Sequence, residues 1–207
     1  MNHLDMKPLL AALATAAILM IPGCSEAPAP VEKKQAPPAQ PVKGRSALYQ
    51  MFNAARAWSP DVQVLSLRSI DLPEVKRERG KAAAWQAYFV SPGTGRARSY
   101  TYSVIESAGN LHKGVFAGLE ESGAHGGTSP FLIAAVKTDS DEVFQTALKK
   151  AADYEKKNPD KPISFQLEKT AQSPNPAWRV IWGESVGTSN FSVFVDASTG
   201  AYLQTMR

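Results

Sequence analysis

The pair Ala84-Trp85 is matched by Ala177-Trp178, 93 residues further along the chain. Phe52 and Phe144 are separated by 92 residues, and Tyr100 and Phe191 by 91. Each pair occupies the same place in a repeated order: a helical pattern, a stop at Pro, a strand, a loop, the Ala-Trp strand, a Gly-containing turn, an alternating aromatic strand, a turn and a short strand. A nearly constant offset over three landmarks is the mark of an internal duplication. Two unrelated α+β halves with coincidental tryptophans are the competing reading. A helix followed by three or four antiparallel strands must bury its apolar stripe against one face of the sheet they form. The expected fold class is therefore α+β, as two tandem repeats, each a helix packed on a curled antiparallel sheet.

The elements follow from local pattern. Ser46 is placed to cap a helix carrying Leu48, Phe52 and Ala55 on one stripe and running to about Trp58. Strands are expected at 62–70, 82–90, 98–105 and 111–117, with Ser91-Pro92-Gly93-Thr94-Gly95 as a turn. A Gly-containing stretch, 121–130, leads to the apolar run 131–136, expected as a strand. Asp139 and Glu142 have capping-box spacing before a helix over 141–157, with Val143, Phe144, Ala147, Leu148, Ala151 and Tyr154 on one broad face. Strands at 163–168, 177–183, 190–196 and 201–205 complete the reading, the last two joined by Ala197-Ser198-Thr199-Gly200.

None of this begins before residue 46. Lys7 precedes an uncharged apolar run from Pro8 to Ile21, long enough for a signal peptide and too short for a span of about 20 residues. Asp5 is out of place in such a leader, whereas Met6-Lys7-Pro8 is a clean start, so translation is expected from Met6. The only cysteine of the chain follows directly, in Ile21-Pro22-Gly23-Cys24. This resembles the lipobox of bacterial lipoproteins, with Pro22 where that family carries a small residue. The resemblance implies diacylglyceryl transfer to the Cys24 thiol, cleavage before it and acylation of the new N-terminus. Two or three acyl chains anchor stably where one does not. Ser25 in the next position, rather than Asp, points by the same resemblance to an outer membrane facing the periplasm. Residues 25–45 hold five prolines and no aromatic residue, and cannot build a core. They read as a semi-extended tether reaching at most roughly 65 Å. Its surplus of lysine and arginine over glutamate favours anionic surfaces, or serves only solubility.

The expected organisation is a signal peptide (1–23), a lipidated Cys24 with its tether (24–45), a first α+β module (46–120), a connector and strand (121–138) and a second module (139–207). The second module resembles the PepSY and cystatin-like families through Pro176-Ala177-Trp178-Arg179-Val180 and through Val193-Phe194-Val195-Asp196-Ala197-Ser198-Thr199-Gly200-Ala201-Tyr202. The first half shares the layout and lacks the Asp-x-x-Thr-Gly turn. That resemblance implies inhibition of, or attachment to, a peptidase or envelope complex.

Chemistry-bearing patterns are sparse. One cysteine excludes an intrachain disulfide and Cys-based zinc sites. His112 and His125 are the plausible bases, neither beside a nucleophile motif, and they read as surface histidines, His112 on an exposed strand. Gly123, Gly126 and Gly127 lack the lysine-serine pair of a phosphate loop and read as a connector. Lys76, Arg77, Arg79 and Lys81, with Arg96 and Arg98, form the one basic cluster of the folded part. It is either a solvated loop or a contact for lipopolysaccharide, anionic lipid or an acidic protein. The formal charge of +4 is too mild for strong steering on its own. Trp85, Trp178 and Trp182 are expected in the core, the alternative being a concave surface that grips peptide or lipid.

The expected function is a lipid-anchored, non-catalytic interaction module of the cell envelope with a protein partner. No cofactor, metal or nucleic acid is expected. A small-ligand or lipid carrier with a pocket between helix and sheet is the alternative, and an envelope hydrolase around His112 or His125 the least favoured.

Overall fold

The structure, a computed structural model of the chain, describes residues 38–109, 111–123, 127–170 and 173–207. Cys24, the signal segment, most of the tether and His125 lie outside the described residues. In chain order the elements are α1 (Gly44–Trp58), β1 (Gln63–Ile70), β2 (Ala84–Ser91), β3 (Arg96–Ser103), β4 (Gly114–Ser122), a short 3-10 turn (Ile133–Ala135), α2 (Ser140–Lys157), β5 (Ile163–Glu168), β6 (Ala177–Trp182), β7 (Ser192–Asp196) and β8 (Tyr202–Met206).

The class is α+β, but the strands make one sheet rather than two. Its order is β4-β3-β2-β1-β5-β6-β7-β8, antiparallel throughout. Sequence neighbours are spatial neighbours except at the centre, where β1 meets β5 and Leu67 stands opposite Leu167. Two four-stranded sheets would expose four edges. Joining β1 to β5 leaves two and satisfies backbone groups that water alone would otherwise meet.

One hydrophobic core serves both halves. From α1 it takes Ala47, Leu48, Met51 and Ala55, and from α2 Val143, Phe144, Ala147 and Ala151. Alternate residues of the strands complete it, among them Leu67, Trp85, Ala87, Phe89, Phe165, Leu167, Trp178, Val180 and Val193. The expected stripe of α2 is borne out, with Leu148 and Tyr154 packed at its margin. Trp85, Trp178 and Trp182 are completely buried, which overturns their role as a ligand-gripping surface.

The two Ala-Trp pairs have equivalent tasks. The Trp85 indole N–H donates to the Val42 carbonyl at 3.1 Å, two residues before α1. The Trp178 indole N–H donates to the Thr138 carbonyl at 3.1 Å, two residues before α2. Each tryptophan fills the core with its rings and fixes the entry of its own helix with its polar end. The two rings meet edge to face, with centroids 6.3 Å apart. Gly44 lies at this meeting point. A Cβ there would fall 2.7 Å from Trp178 and 2.8 Å from Trp85.

Ser46 does not cap α1, which begins at Gly44 and has no side-chain cap of its own. The start of α2 supplies it instead. The Gly44 N–H donates to Ser140 Oγ and the Arg45 N–H to Asp139 Oδ1, both at 2.8 Å. Asp139 Oδ1 also accepts from the Ser140 N–H, its own helix's first turn. The expected capping residue of α2 is thus right, and it serves two helix N-termini at once. Lys43 pairs with Asp141 at 2.7 Å across the same junction.

Three further expectations change. The fourth strand is longer than 111–117 and runs through Ser122. Residues 131–136 are not a strand: Phe131 makes a single bridge to Val64, and Ile133–Ala135 then turn tightly towards α2. His112 lies in the β3–β4 connection rather than on a strand. It is held by Glu106 at 3.0 Å and packs at a tilt against Phe116, with ring centroids 4.6 Å apart. The β7–β8 turn has a structural role. Asp196 Oδ1 accepts from the Ser198 and Thr199 N–H groups at 2.8 Å each, and Ser198 Oγ donates to the Ala135 carbonyl. Burial would push the Asp196 carboxyl up, but hydrogen bonds from Asn175, Thr199 and Ser198 outweigh it and hold it below its ordinary value.

Candidate functional site

The pairing of β1 with β5 stops early. Only Ser66–Arg68 and Gln166–Glu168 are in register, although β1 continues to Ile70 and β5 begins at Ile163. Beyond this point each strand keeps its outer neighbour: Ser69 and Ile70 pair with Trp85 and Ala84, and Ile163, Ser164 and Phe165 pair with Trp182, Ile181 and Val180. Extending the register would put Ser69 opposite Phe165. There the Phe165 N–H donates to the Ser69 hydroxyl at 2.9 Å instead, so a side chain fills the place of a ladder bond. The seam has begun to open.

A cleft of about 930 Å³ occupies the opening. Its walls include the separated segments of both strands, and Arg68 and Gln166 lie in it where regular pairing ends. The long β1–β2 connection forms one rim, and the turns after α2 and β6 form the other. Pro41 is at its margin, and Val42 is fastened beside it by two backbone hydrogen bonds to Ala82. Gly80, at φ +80°, allows the connection to approach α2: a Cβ there would lie 2.5 Å from Asp141 Cα.

The cleft separates the basic residues singled out from sequence into two groups. Lys76, Arg77, Arg79 and Lys81 line it. Arg96 and Arg98 do not; they are at the other end of β2, about 23 Å away at some 3.3 Å per residue. Most of the cluster is already engaged. Arg77 pairs with Asp71, which raises its guanidinium above the ordinary value, Glu184 adding to the effect. Arg79 pairs with the largely buried Glu155 at 2.6 Å, and Lys81 with Glu78 at 2.5 Å. Glu155 also accepts the Trp182 indole N–H, which ties the rim to the core. Five acidic residues share the lining with six basic ones, so the cleft is of mixed charge rather than an anion sink.

Sequence reasoning passed over Arg68. It is exposed, and its Nε donates to Gln86 at 2.8 Å. It has no carboxylate within 4.0 Å among the described residues. The available signal was an arginine directly after Leu67 in a strand that alternates apolar and polar residues, which reads as an outward-facing position.

Arg96 pairs with Glu120, and Arg98 lies over the Tyr100 ring while its Nε donates to the Gly118 carbonyl. Arg98 also borders a hollow of about 300 Å³ between the end of α1 and β3–β4, beside Trp58. This is the space under a helix that a carrier would use, and it is small beside the seam cleft. His112 is exposed, and its recorded contacts are with Glu106 and Phe116. Among the described residues, no group of three or more His, Cys, Asp and Glu side chains is placed to hold a metal ion, and no helix is long and apolar enough to cross a membrane.

No family model matches the chain, and no curated protein matches it by sequence. A solved structure, that of a candidate lipoprotein from Clostridium difficile 630, aligns with a TM-score of 0.47 at 10% identity, covering 79% of this chain and 94% of the other.

Proposed function

We propose that the chain is a lipid-anchored, non-catalytic binding protein of the cell envelope, tethered through Cys24 to the outer membrane and facing the periplasm. The observation that carries this reading is the apolar leader ending on the chain's only cysteine, followed by a proline-rich tether whose Pro41 lines the seam cleft. The tether then presents a binding surface, rather than a reaction centre, at a limited distance from the bilayer. The partner is a protein, engaged through backbone groups that the sheet leaves open.

The tandem reading belongs here as well. Each half holds one helix and four strands, and in each the Ala-Trp strand sends an indole N–H to the segment two residues before the helix. We infer that the halves descend from one PepSY-like unit and that their fusion created the β1–β5 seam. Trp85, Trp178 and Phe165 are buried in the core, so the carrier reading finds no space there, and the hollow beside Trp58 is of only about 300 Å³.

The test is Cys24→Ala. The expected result is transfer of the protein from the membrane to the soluble fraction, together with loss of the mass of the acyl chains. Retention in the membrane, or an unmodified thiol in the parent, would refute the anchor.

A further inference from the structure

Most of the basic residues around the seam cleft are held in ion pairs, whereas those on the outer side of α2 are not. Lys149, Lys150, Lys156 and Lys157 are all exposed. Among the described residues, none of the four has a carboxylate within 4.0 Å. Steps of seven residues, from 149 to 156 and from 150 to 157, place them on one stripe of the helix. Val143, Phe144, Ala147 and Ala151 are buried on the opposite stripe. The helix dipole favours Lys156 and Lys157 in the last turn, but its effect does not reach back to Lys149 and Lys150. Asp153 stands between the two lysine pairs, Asp160 follows in the turn, and Glu142 lies at the far end of the helix. Glu155 is engaged by Arg79 and Trp182.

The surface beside this stripe is apolar. Lys150 Nζ lies 4.7 Å from the centre of the Tyr202 ring, so the stripe runs onto β8. There Tyr202, Leu203 and Met206 are 39%, 44% and 46% exposed. At the end of the helix Lys161 lies over Tyr154, which stacks on Phe191. Addition of a peptide strand along β8 is disfavoured, because this edge is five residues long and its register shifts where Leu203 is passed over. Lysines bordered by exposed tyrosine and aliphatic side chains suit phospholipid headgroups instead. The ammonium groups meet phosphate, and the apolar side chains reach the acyl boundary.

The tether is placed to bring such a surface close. Lys43 pairs with Asp141, which fixes the start of the folded unit beside the N-terminal end of α2. At 1.5 Å per residue the lysine stripe lies about 12–24 Å from there along the helix, within the reach of roughly 65 Å that the tether allows. A bilayer held at that distance has a high effective concentration, so the modest attraction of each lysine is enough.

We propose that the C-terminal half of α2 and the β8 edge form a docking face for a bilayer bearing anionic phospholipid, with Lys149, Lys150, Lys156 and Lys157 on the phosphate groups and Tyr202 and Leu203 at the headgroup boundary. This deepens the lipid-anchored reading above, and the two fail separately: the anchor is read from the mass at Cys24, the docking face from lysine accessibility on added vesicles.

The experiment mixes the full chain with an excess of vesicles, either of phosphatidylcholine alone or of phosphatidylcholine and phosphatidylglycerol in equal parts. Neither lipid carries a primary amine, so lysines can be acetylated briefly and read site by site by mass spectrometry. At low salt, acetylation of the four lysines and of Lys161 should be about fivefold slower on the anionic vesicles than on the neutral ones. Lys113, exposed in the β3–β4 connection of the other half, should be labelled equally on both. High salt should remove the difference. Replacing the four lysines together by glutamine alters exposed side chains only, and should abolish the slower labelling of Lys161. Equal labelling of the stripe on both vesicles would overturn the proposal, as would slowing at Lys113 to the same degree or a Lys161 difference that persists in the variant. Slowing by soluble polyglutamate but not by the anionic vesicles would overturn it in favour of an acidic protein.

Discussion

The two halves of the sheet have nearly the same parts and are not equally self-sufficient. In the second half, α2 is capped by Asp139 in its own first turn, carries Asp141 and Glu142 near its N-terminus and ends on Lys156 and Lys157, all in accord with its dipole. In the first half, α1 has no acidic residue in its first turn and takes its hydrogen-bond acceptors from Asp139 and Ser140. The Trp178 ring, meanwhile, reaches across to Gly44 at the start of α1. The second half caps its helix from its own sequence, whereas the first takes its cap acceptors from the second. Local signals are enough for a helix whose cap is in its own sequence. A helix capped from 94 residues away is specified only in three dimensions.

The largest expected effect follows from the shared tryptophan junction. Gly44→Val places carbon where Trp85 and Trp178 already lie, and should cost about 3 kcal/mol or more in urea unfolding. Trp85→Ala and Trp178→Ala should each cost about 3–5 kcal/mol, and because the rings touch their double variant should be non-additive. Additive costs would mean that the halves are energetically separate.

The shared cap comes next. Asp139→Ala removes an acceptor from both helices and should cost about 1–2 kcal/mol. Ser46→Ala, at the residue that sequence favours as the cap of α1, should change stability by less than about 0.5 kcal/mol. If Ser46→Ala proved the costlier, the asymmetry between the halves would fail.

The smallest effect concerns pH. Each half fixes a turn with a carboxylate: Asp196 in the second, and Asp61 in the first. Asp61 accepts from Ser59 at 2.6 Å, Ser91 at 2.7 Å and the Gly93 N–H at 2.7 Å. The Ser59 and Ser91 hydroxyls and the Gly93 amide hold its pKa at about 2. A carboxyl depressed in the folded state stabilises the fold above its unfolded value, about 3.9, and loses that contribution as pH falls through the folded value. Asp61→Asn should therefore flatten the acid limb of a stability curve between about pH 4 and pH 2 and leave its neutral part parallel to the parent. An unaltered acid limb would show that solvent screens this exposed turn.

Much of the fold was legible because its signals are local. The alternation in Ile163–Glu168, the stripe of α2 and the Asp139 start depend on residues within a turn or two of each other, and the structure returns them almost unshifted. The apolar run 131–136 misled because apolarity alone does not separate a strand from a segment buried by its neighbours. The basic cluster misled differently: proximity in sequence placed Arg96 and Arg98 with Lys76–Lys81, and the length of β2 keeps them apart.

The sequence by itself carried the lone cysteine, the order of the two helices and of eight strands, and which tryptophans fill the core, since all of these rest on composition and short-range periodicity. Tertiary structure alone decided that the strands form one sheet, that one aspartate serves two helices, and that β1 and β5 part after three paired positions to leave a cleft. Those outcomes depend on which edges meet, and the free energy of an edge is set by the partner it finds rather than by the residues within it.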